Sequence, residues 1–288
     1  MYCSSQRGLQ QRVTFIRLSS EKLKTTCFVL VVLILLGCKQ KEPKNEQQSN
    51  SLTESSAVQK IPDHLDLWTK AINKQDDDAL ENSYAADAVK IISPDSILNG
   101  VPQIAQYYKN HQNKITFIQS LFSLEANTER AIHYDIITYK TVNTKEYVQL
   151  LIWSAKDEKK GRIFEFTQER HPTAITPDTT AIAKRRKLWI ELCNAHNARN
   201  LVEQLYSPHT MYFNHKPIVK GREDLIKAYD YMNNTTYSLN LHPLKLEIIN
   251  ANYAFEIGQC SGSYRGKYIL IWKKQANGTW SIYIDSNI

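Results

Sequence analysis

Seven side chains in the last third of the chain could together hold a small molecule or act on it: Tyr212, Asn214, Glu256, Tyr264, Tyr283, Asp285 and Asn287. Phenol hydroxyls and amides both donate and accept hydrogen bonds, and a carboxylate kept from water can grip a polar group or move a proton. Tyr212 and Asn214, with His215 next to them, cluster in a short strand pair. Tyr283, Asp285 and Asn287 recur at every second residue of the final strand, which predicts one face for them and the other for Trp280, Ile282 and Ile284. The even spacing of Glu256 and Tyr264 likewise puts them on a common strand face. The same residues would equally serve as the solvent or domain-contact face of an amphipathic strand, with Asp285 satisfying a backbone group. No CxxC or His-x-x-x-His spacing points to a metal, and no cofactor is expected. The run Asp76-Asp77-Asp78 reads as the acidic start of a helix.

The elements that must position these groups come in two copies. The stretch from Leu67 to Gly100 and the stretch from Leu188 to Gly221 share a layout. Both begin Leu-Trp, carry an Asn five residues after the Trp (Asn73, Asn194), reach a Tyr (Tyr84, Tyr206) and end at a Gly before another helical pattern. Ile152-Trp153 and Ile271-Trp272 follow at nearly equal distances. Such a long period predicts a duplicated unit. Its two copies are expected at 61–170 and 179–288, with 171–178 as the linker.

Within each copy the apolar period is helical at first and then two. Helices are expected near 63–72, 78–84 and 102–108, a strand pair at 88–92 and 97–98, and long strands at 115–126, 131–142, 146–155 and 162–169. In the second copy the helices fall at 181–195, 201–205 and 222–232, the strand pair at 211–214 and 218–219, and the long strands at 237–249, 253–263, 267–274 and 280–286. Helices followed by a run of long strands indicate an α+β class, with about three helices packed on a curved antiparallel sheet in each copy. Trp68 and Trp189 lie on apolar helix faces and read as core.

The formal charge is +7, but residues 1–37 hold five basic groups and one acid, so only +3 belongs to the rest. That excludes a nucleic-acid footprint. The apolar run from Cys27 to Gly37 is too short to cross a bilayer of about 30 Å and reads as the core of an export signal. Leu35-Leu36-Gly37-Cys38 resembles the bacterial lipobox. This resemblance implies cleavage after residue 37, acylation of Cys38, palmitate among the chains, and residues 38–60 as a flexible polar tether. The location expected is the bacterial cell envelope, anchored to the outer membrane in a Gram-negative cell. Cys193 and Cys260 read as small core residues, with a disulfide between them left open.

The order helix, short helix, strand pair, Gly-led helix and four long strands, together with Tyr-x-x-Asp-Ala at Tyr84 to Ala88 and the ending TWSIYIDSNI, resembles the nuclear transport factor 2-like (SnoaL-like) superfamily. The resemblance implies two tandem cone-shaped domains, each with an internal pocket used in that superfamily by enzymes and plain binders alike. Ketosteroid-isomerase-like members place a general-base Asp about eight residues after the motif Tyr. Counting from Tyr84 and Tyr206 gives Ile92 and Asn214, neither of which can take a proton from carbon. The reading favoured is therefore a lipid-anchored envelope protein that binds a small organic ligand in the second domain, or serves as an accessory module, without catalysis. The alternative is an isomerase, dehydratase or hydrolase using Asp285 or Glu256. A third is an interaction module whose sheet faces pair between the two domains or in a homodimer.

Overall fold

A computed structural model describes residues 62–111, 114–156, 161–171, 179–214 and 217–288, all within one compact unit of the chain. Cys38, the signal and the tether lie outside the described residues, as does His215. No helix among the described residues is long and apolar enough to cross a membrane.

The first half runs α1 (Asp63–Lys74), α2 (Asp77–Glu81), β1 (Tyr84–Ser93), β2 (Ser96–Asn99), α3 (Val101–Asn110), β3 (Ile115–Asn127), β4 (Ile132–Thr141), β5 (Glu146–Ser154) and β6 (Gly161–Glu169). The second half repeats it with α4 (Thr179–Asn194), α5 (Ala198–Leu205), β7 (Tyr206–Phe213), β8 (Val219–Lys220), α6 (Arg222–Ala228), a 3-10 turn at Asp230–Asn233, β9 (Leu239–Ile248), β10 (Tyr253–Gly262), β11 (Lys267–Lys274) and β12 (Trp280–Ser286). The two sheets have one order, β2-β1-β6-β5-β4-β3 and β8-β7-β12-β11-β10-β9. All neighbours are antiparallel except β1 with β6 and β7 with β12. This is the α+β architecture expected from the apolar periods, but the expected antiparallel sheets are corrected to mixed ones, because the last strand of each half lies parallel beside the first. The strands β1 and β7 begin earlier than their apolar pattern suggests, at the repeated Tyr itself.

The repeated residues have repeated jobs. Asn73 closes a two-way amide clasp on the backbone of Ile115 (2.8 and 2.7 Å), and Asn194 does the same to Leu239 (3.1 and 2.9 Å), tying the first helix of each half to its third strand. Gly100 and Gly221 both stand at φ +79° ahead of α3 and α6, a backbone conformation that side chains with a Cβ disfavour. Asp76 caps α2, its carboxylate accepting the Ala79 amide at 3.0 Å, as the acidic run suggested.

Each sheet is apolar on both faces. One face of the first sheet packs with α1–α3 around Leu65, Trp68, Ile104 and Leu151, and one face of the second with α4–α6 around Trp189, Leu201, Leu225 and Leu270. The opposite faces meet each other in a third core that takes residues from both halves. There Phe164 stacks on Phe213 (centroids 5.3 Å apart), Phe166 packs against Phe255 and Tyr283, and the Tyr134 hydroxyl donates to the carbonyl of Ile288 at 2.8 Å. Arg170 pairs with Glu247 at 2.7 Å on the edge of this seam.

A bulge in each last strand departs from strict alternation. In the second sheet Ile271 faces Ile284 while Trp272 faces Ile282, so Tyr283 is the extra residue; in the first, Ile152 faces Phe164 while Trp153 faces Arg162, so Ile163 is extra. A bulge turns two successive side chains to one face. Tyr283 and Ile284 accordingly both enter the seam between sheets, and Asp285 turns to the helical side. The expectation that Tyr283, Asp285 and Asn287 share a face is corrected by that one extra residue.

Candidate functional site

The helical face of the second sheet encloses a cavity of about 180 Å³, lined by Trp189, Tyr229, Tyr231, Met232, Tyr237, Leu239, Leu241, Cys260, Tyr264, Tyr268, Leu270, Asp285 and Asn287. Trp189 on α4 and Tyr229, Tyr231 and Met232 at and just beyond the end of the Gly-led α6 form the roof, and the bulged β12 delivers the acid from below. Tyr231, 46% exposed, packs edge-on to Tyr237 at the rim.

Asp285 is the polar centre. Its Oδ2 accepts the hydroxyl of Tyr229 at 2.5 Å and that of Tyr206 at 2.7 Å, and Tyr206 in turn accepts the Trp189 indole N–H at 2.9 Å. Among the described residues no lysine, arginine or histidine is bonded to it. Burial pushes its carboxyl up to about 6, against the two tyrosine hydrogen bonds and a backbone bond from Ser286, which pull it down. Burial, reinforced by the charge of Asp285, holds the hydroxyls of Tyr206 and Tyr229 far above their ordinary range, so both stay protonated donors.

Of the other residues singled out from sequence, Tyr264 and Asn287 line the cavity with Asp285. Tyr212 stands one layer behind, its hydroxyl donating to Asn287 Oδ1 at 2.8 Å, and the Asn214 amide donates to that hydroxyl at 3.1 Å. Glu256 does not line it. Arg186 grips both its oxygens (2.6 and 2.8 Å), and the Tyr268 hydroxyl and Trp272 indole take the remaining lone pairs at 2.7 and 2.9 Å. A fully buried carboxylate so saturated ties α4 to the sheet. Tyr264 lies past the end of β10, so no strand face is shared with Glu256. Tyr283, on the opposite face, has the ammonium of Lys273 over its ring at 4.9 Å.

Sequence reasoning passed over Trp189, Tyr206 and Tyr229 as site residues. Their signal was the repeat, because the same quartet stands in the first half. There the Trp68 indole donates to the Tyr84 hydroxyl at 3.0 Å, and Tyr84 and Tyr108 donate to Glu165 at 3.1 and 2.7 Å. Tyr108 and Tyr229 each lie eight residues past the repeated Gly. Glu165 and Asp285 are equivalent by register, since Leu151 faces the one and Leu270 the other. The bulges fall at matching places in the two final strands.

What differs is charge. Glu165 also accepts Lys90 Nζ at 2.8 Å, Arg162 Nη1 at 2.9 Å and Gln149 Nε2 at 3.2 Å. Burial would raise its carboxyl, but Lys90 and Arg162 outweigh that and hold it at about 2. Lys90 Nζ also lies 4.9 and 4.8 Å from the ring centres of Tyr107 and Tyr108, beside a first-half cavity of about 200 Å³. In the second half the positions of Lys90 and Arg162 hold Tyr212 and Ile282.

No protein-family model and no curated protein matches the chain. Solved structures do. An NTF-2 like protein of unknown function from Shewanella oneidensis MR-1 is 15% identical over 38% of this chain and 98% of its own, with a TM-score of 0.35. A domain of unknown function with a cystatin-like fold from Nostoc punctiforme PCC 73102 is 16% identical over 40% of this chain and 78% of its own, TM-score 0.35. A ketosteroid isomerase-like protein from Erwinia carotovora atroseptica SCRI1043 is 13% identical over 40% of this chain and 98% of its own, TM-score 0.32. At such identities and scores the likeness says nothing of activity.

Proposed function

We propose that the second half is a small-molecule-binding module whose ligand fills the tyrosine-lined cavity and bonds Asp285. The observation that carries this is the contrast between the two acids. Glu165 is neutralised inside the protein, whereas Asp285, also buried, has no cation bonded to it among the described residues and stands at the wall of an apolar hollow. An unpaired buried carboxyl costs stability, so a site that retains one is a candidate for ligand contact. A volume near 180 Å³ suits a molecule on the order of benzene or somewhat larger. Mass spectrometry of ligand released from natively purified protein tests the reading. A compound retained by the wild type and lost from a Leu270→Trp variant, whose added bulk fills the hollow, is the expected result; a hollow that retains nothing would overturn it.

A second reading, proton transfer by Asp285 in an isomerase or dehydratase, is favoured by its raised pKa, close to what a general base or acid needs at neutral pH. Asn214, which occupies the place of the superfamily's usual base, donates its amide to Tyr212 and cannot substitute for it. Turnover of a ketosteroid or polyketide-like substrate, abolished by Asp285→Asn, would replace binding with catalysis.

The proposed location is the cell envelope, with the folded halves tethered to the membrane through an acylated Cys38. Its support is the order of basic segment, apolar run, small residue, Cys and polar tether in residues 1–60. Cys38→Ala should release the protein from the membrane fraction; unchanged membrane association would sink the anchor.

A further inference from the structure

We infer that the ligand of the second-half cavity is a small organic ammonium ion, its positive nitrogen held between the Asp285 carboxylate and the tyrosine rings around it; this rests on the reading of that cavity as a ligand site. The first half supplies the argument. Its framework is the same quartet of Trp, Tyr, acid and Tyr, and there the acid is met by an ammonium that the chain itself provides. Lys90 Nζ bonds Glu165 at 2.8 Å while lying over the rings of Tyr107 and Tyr108. A carboxylate on one side and aromatic faces on the others is how a desolvated cation is stabilised. In the second half the acid and the Tyr108 counterpart, Tyr229, remain, and Tyr231, Tyr237 and Tyr264 add further rings. The lysine is replaced by Tyr212 at the same register position.

A free ammonium of matching size would give Asp285 one cation partner, where Glu165 has two, Lys90 and Arg162. Neutral apolar ligands would fill the space but leave Asp285 unpaired, and anions would face it directly.

Isothermal titration of the full-length protein at pH 7.5 with choline and with n-butylammonium, each beside an uncharged analogue (3,3-dimethyl-1-butanol and 1-butanol), tests this. At least one ammonium should bind on the order of tenfold or more tightly than its neutral partner. For n-butylammonium, whose N–H groups can donate to the carboxylate, Asp285→Asn should weaken binding by roughly ten- to a hundredfold, the usual worth of a hydrogen bond to a charged group. Tyr212→Lys, which copies Lys90, should occupy the site from within and abolish ammonium binding while the variant remains folded by circular dichroism. Binding should also weaken as pH falls through about 6, where Asp285 takes up a proton. Neutral analogues that bind as tightly as the ammonium ions, or an Asp285→Asn variant that binds them unchanged, would overturn the ammonium assignment and leave the cavity a site for uncharged molecules. Binding of neither class would overturn it too, and the released-ligand experiment would then decide separately whether the hollow holds any ligand.

Discussion

Lys90 and Tyr212 occupy one register position in two sheets: Lys90 is the parallel partner of Glu165, and Tyr212 is the parallel partner of Asp285. Each therefore sits beside the buried acid of its half, and the exchange of an ammonium for a phenol, together with that of Arg162 for Ile282, leaves Asp285 without the cations that pair Glu165. The two acids consequently respond to pH in opposite directions.

Asp285 has its folded carboxyl raised from 3.8 to about 6. The protonated form is thus favoured by folding, so its contribution is fully present below the unfolded value of 3.8 and is lost as pH rises through about 6. The loss on going from pH 4 to pH 8 is about 2–3 kcal/mol, because each tenfold change in proton affinity is worth about 1.36 kcal/mol. Denaturant titrations of wild type and Asp285→Asn across that range should show the Asn variant gaining relative stability toward pH 8. A difference that stays flat with pH would refute the raised carboxyl.

Glu165 gives the opposite slope. Its carboxyl is lowered from 4.5 to about 2, so its contribution is complete above 4.5 and disappears as pH falls toward 2. Glu165→Gln leaves Lys90 and Arg162 buried without their carboxylate, and should cost about 3–5 kcal/mol at neutral pH. Adding Lys90→Met should return part of that loss, because it removes one of the stranded charges. Chemical denaturation of the two variants measures both effects, and a single variant as stable as wild type would show the network to be slack.

Gly258 and Tyr268 make a tighter prediction. A Cβ built on Gly258 would lie 2.2 Å from the Tyr268 ring, so the ring crosses the strand over bare backbone to reach Glu256 at 2.7 Å. Gly258→Ala must push the phenol aside, which should cost about 1–3 kcal/mol by overpacking and lose a hydrogen bond to a buried carboxylate. Tyr268→Ala in the same chain should make the second substitution nearly free. Strict additivity of the two in a double-mutant cycle would contradict the contact.

Much of this architecture is legible in the sequence. The repeated Leu-Trp, Asn, Tyr and Gly mark the same structural duties twice, because a helix-to-strand amide clasp, an indole-to-phenol bond and a positive-φ helix entry each accept few residue types. The long strands β3 to β6 and β9 to β12 show in their period-two patterns. The site is only partly legible, for a definite reason. A bulge adds one residue without changing composition, so nothing in TWSIYIDSNI reveals that Tyr283 and Ile284 turn to the same side. Counted by alternation, Asp285 shares a face with Tyr283; paired by hydrogen bonds, it turns to the helical side and matches Glu165. Long-range partners are equally silent. That Arg186 on α4 would saturate Glu256, seventy residues away, depends on tertiary packing alone.

The seam between the sheets sets the last prediction. From the second half alone it buries Met211, Phe213, Ile249, Phe255, Ile257, Ile269, Ile271, Tyr283, Ile284 and Ile288, all covered by the other half. Exposed together they would form an apolar face well above what soluble monomers carry. A fragment of 179–288 should therefore associate with itself or aggregate, although its own helical core is intact. In the full chain Phe166→Ala, at the centre of the seam, should cost about 3–5 kcal/mol and destabilise both halves in one transition, since each loses packing against the other. Sedimentation of the fragment and calorimetry of the variant check the two claims. A fragment that stays monomeric and melts as the full chain does would mean that the halves fold independently, and that the shared core follows folding instead of contributing to it.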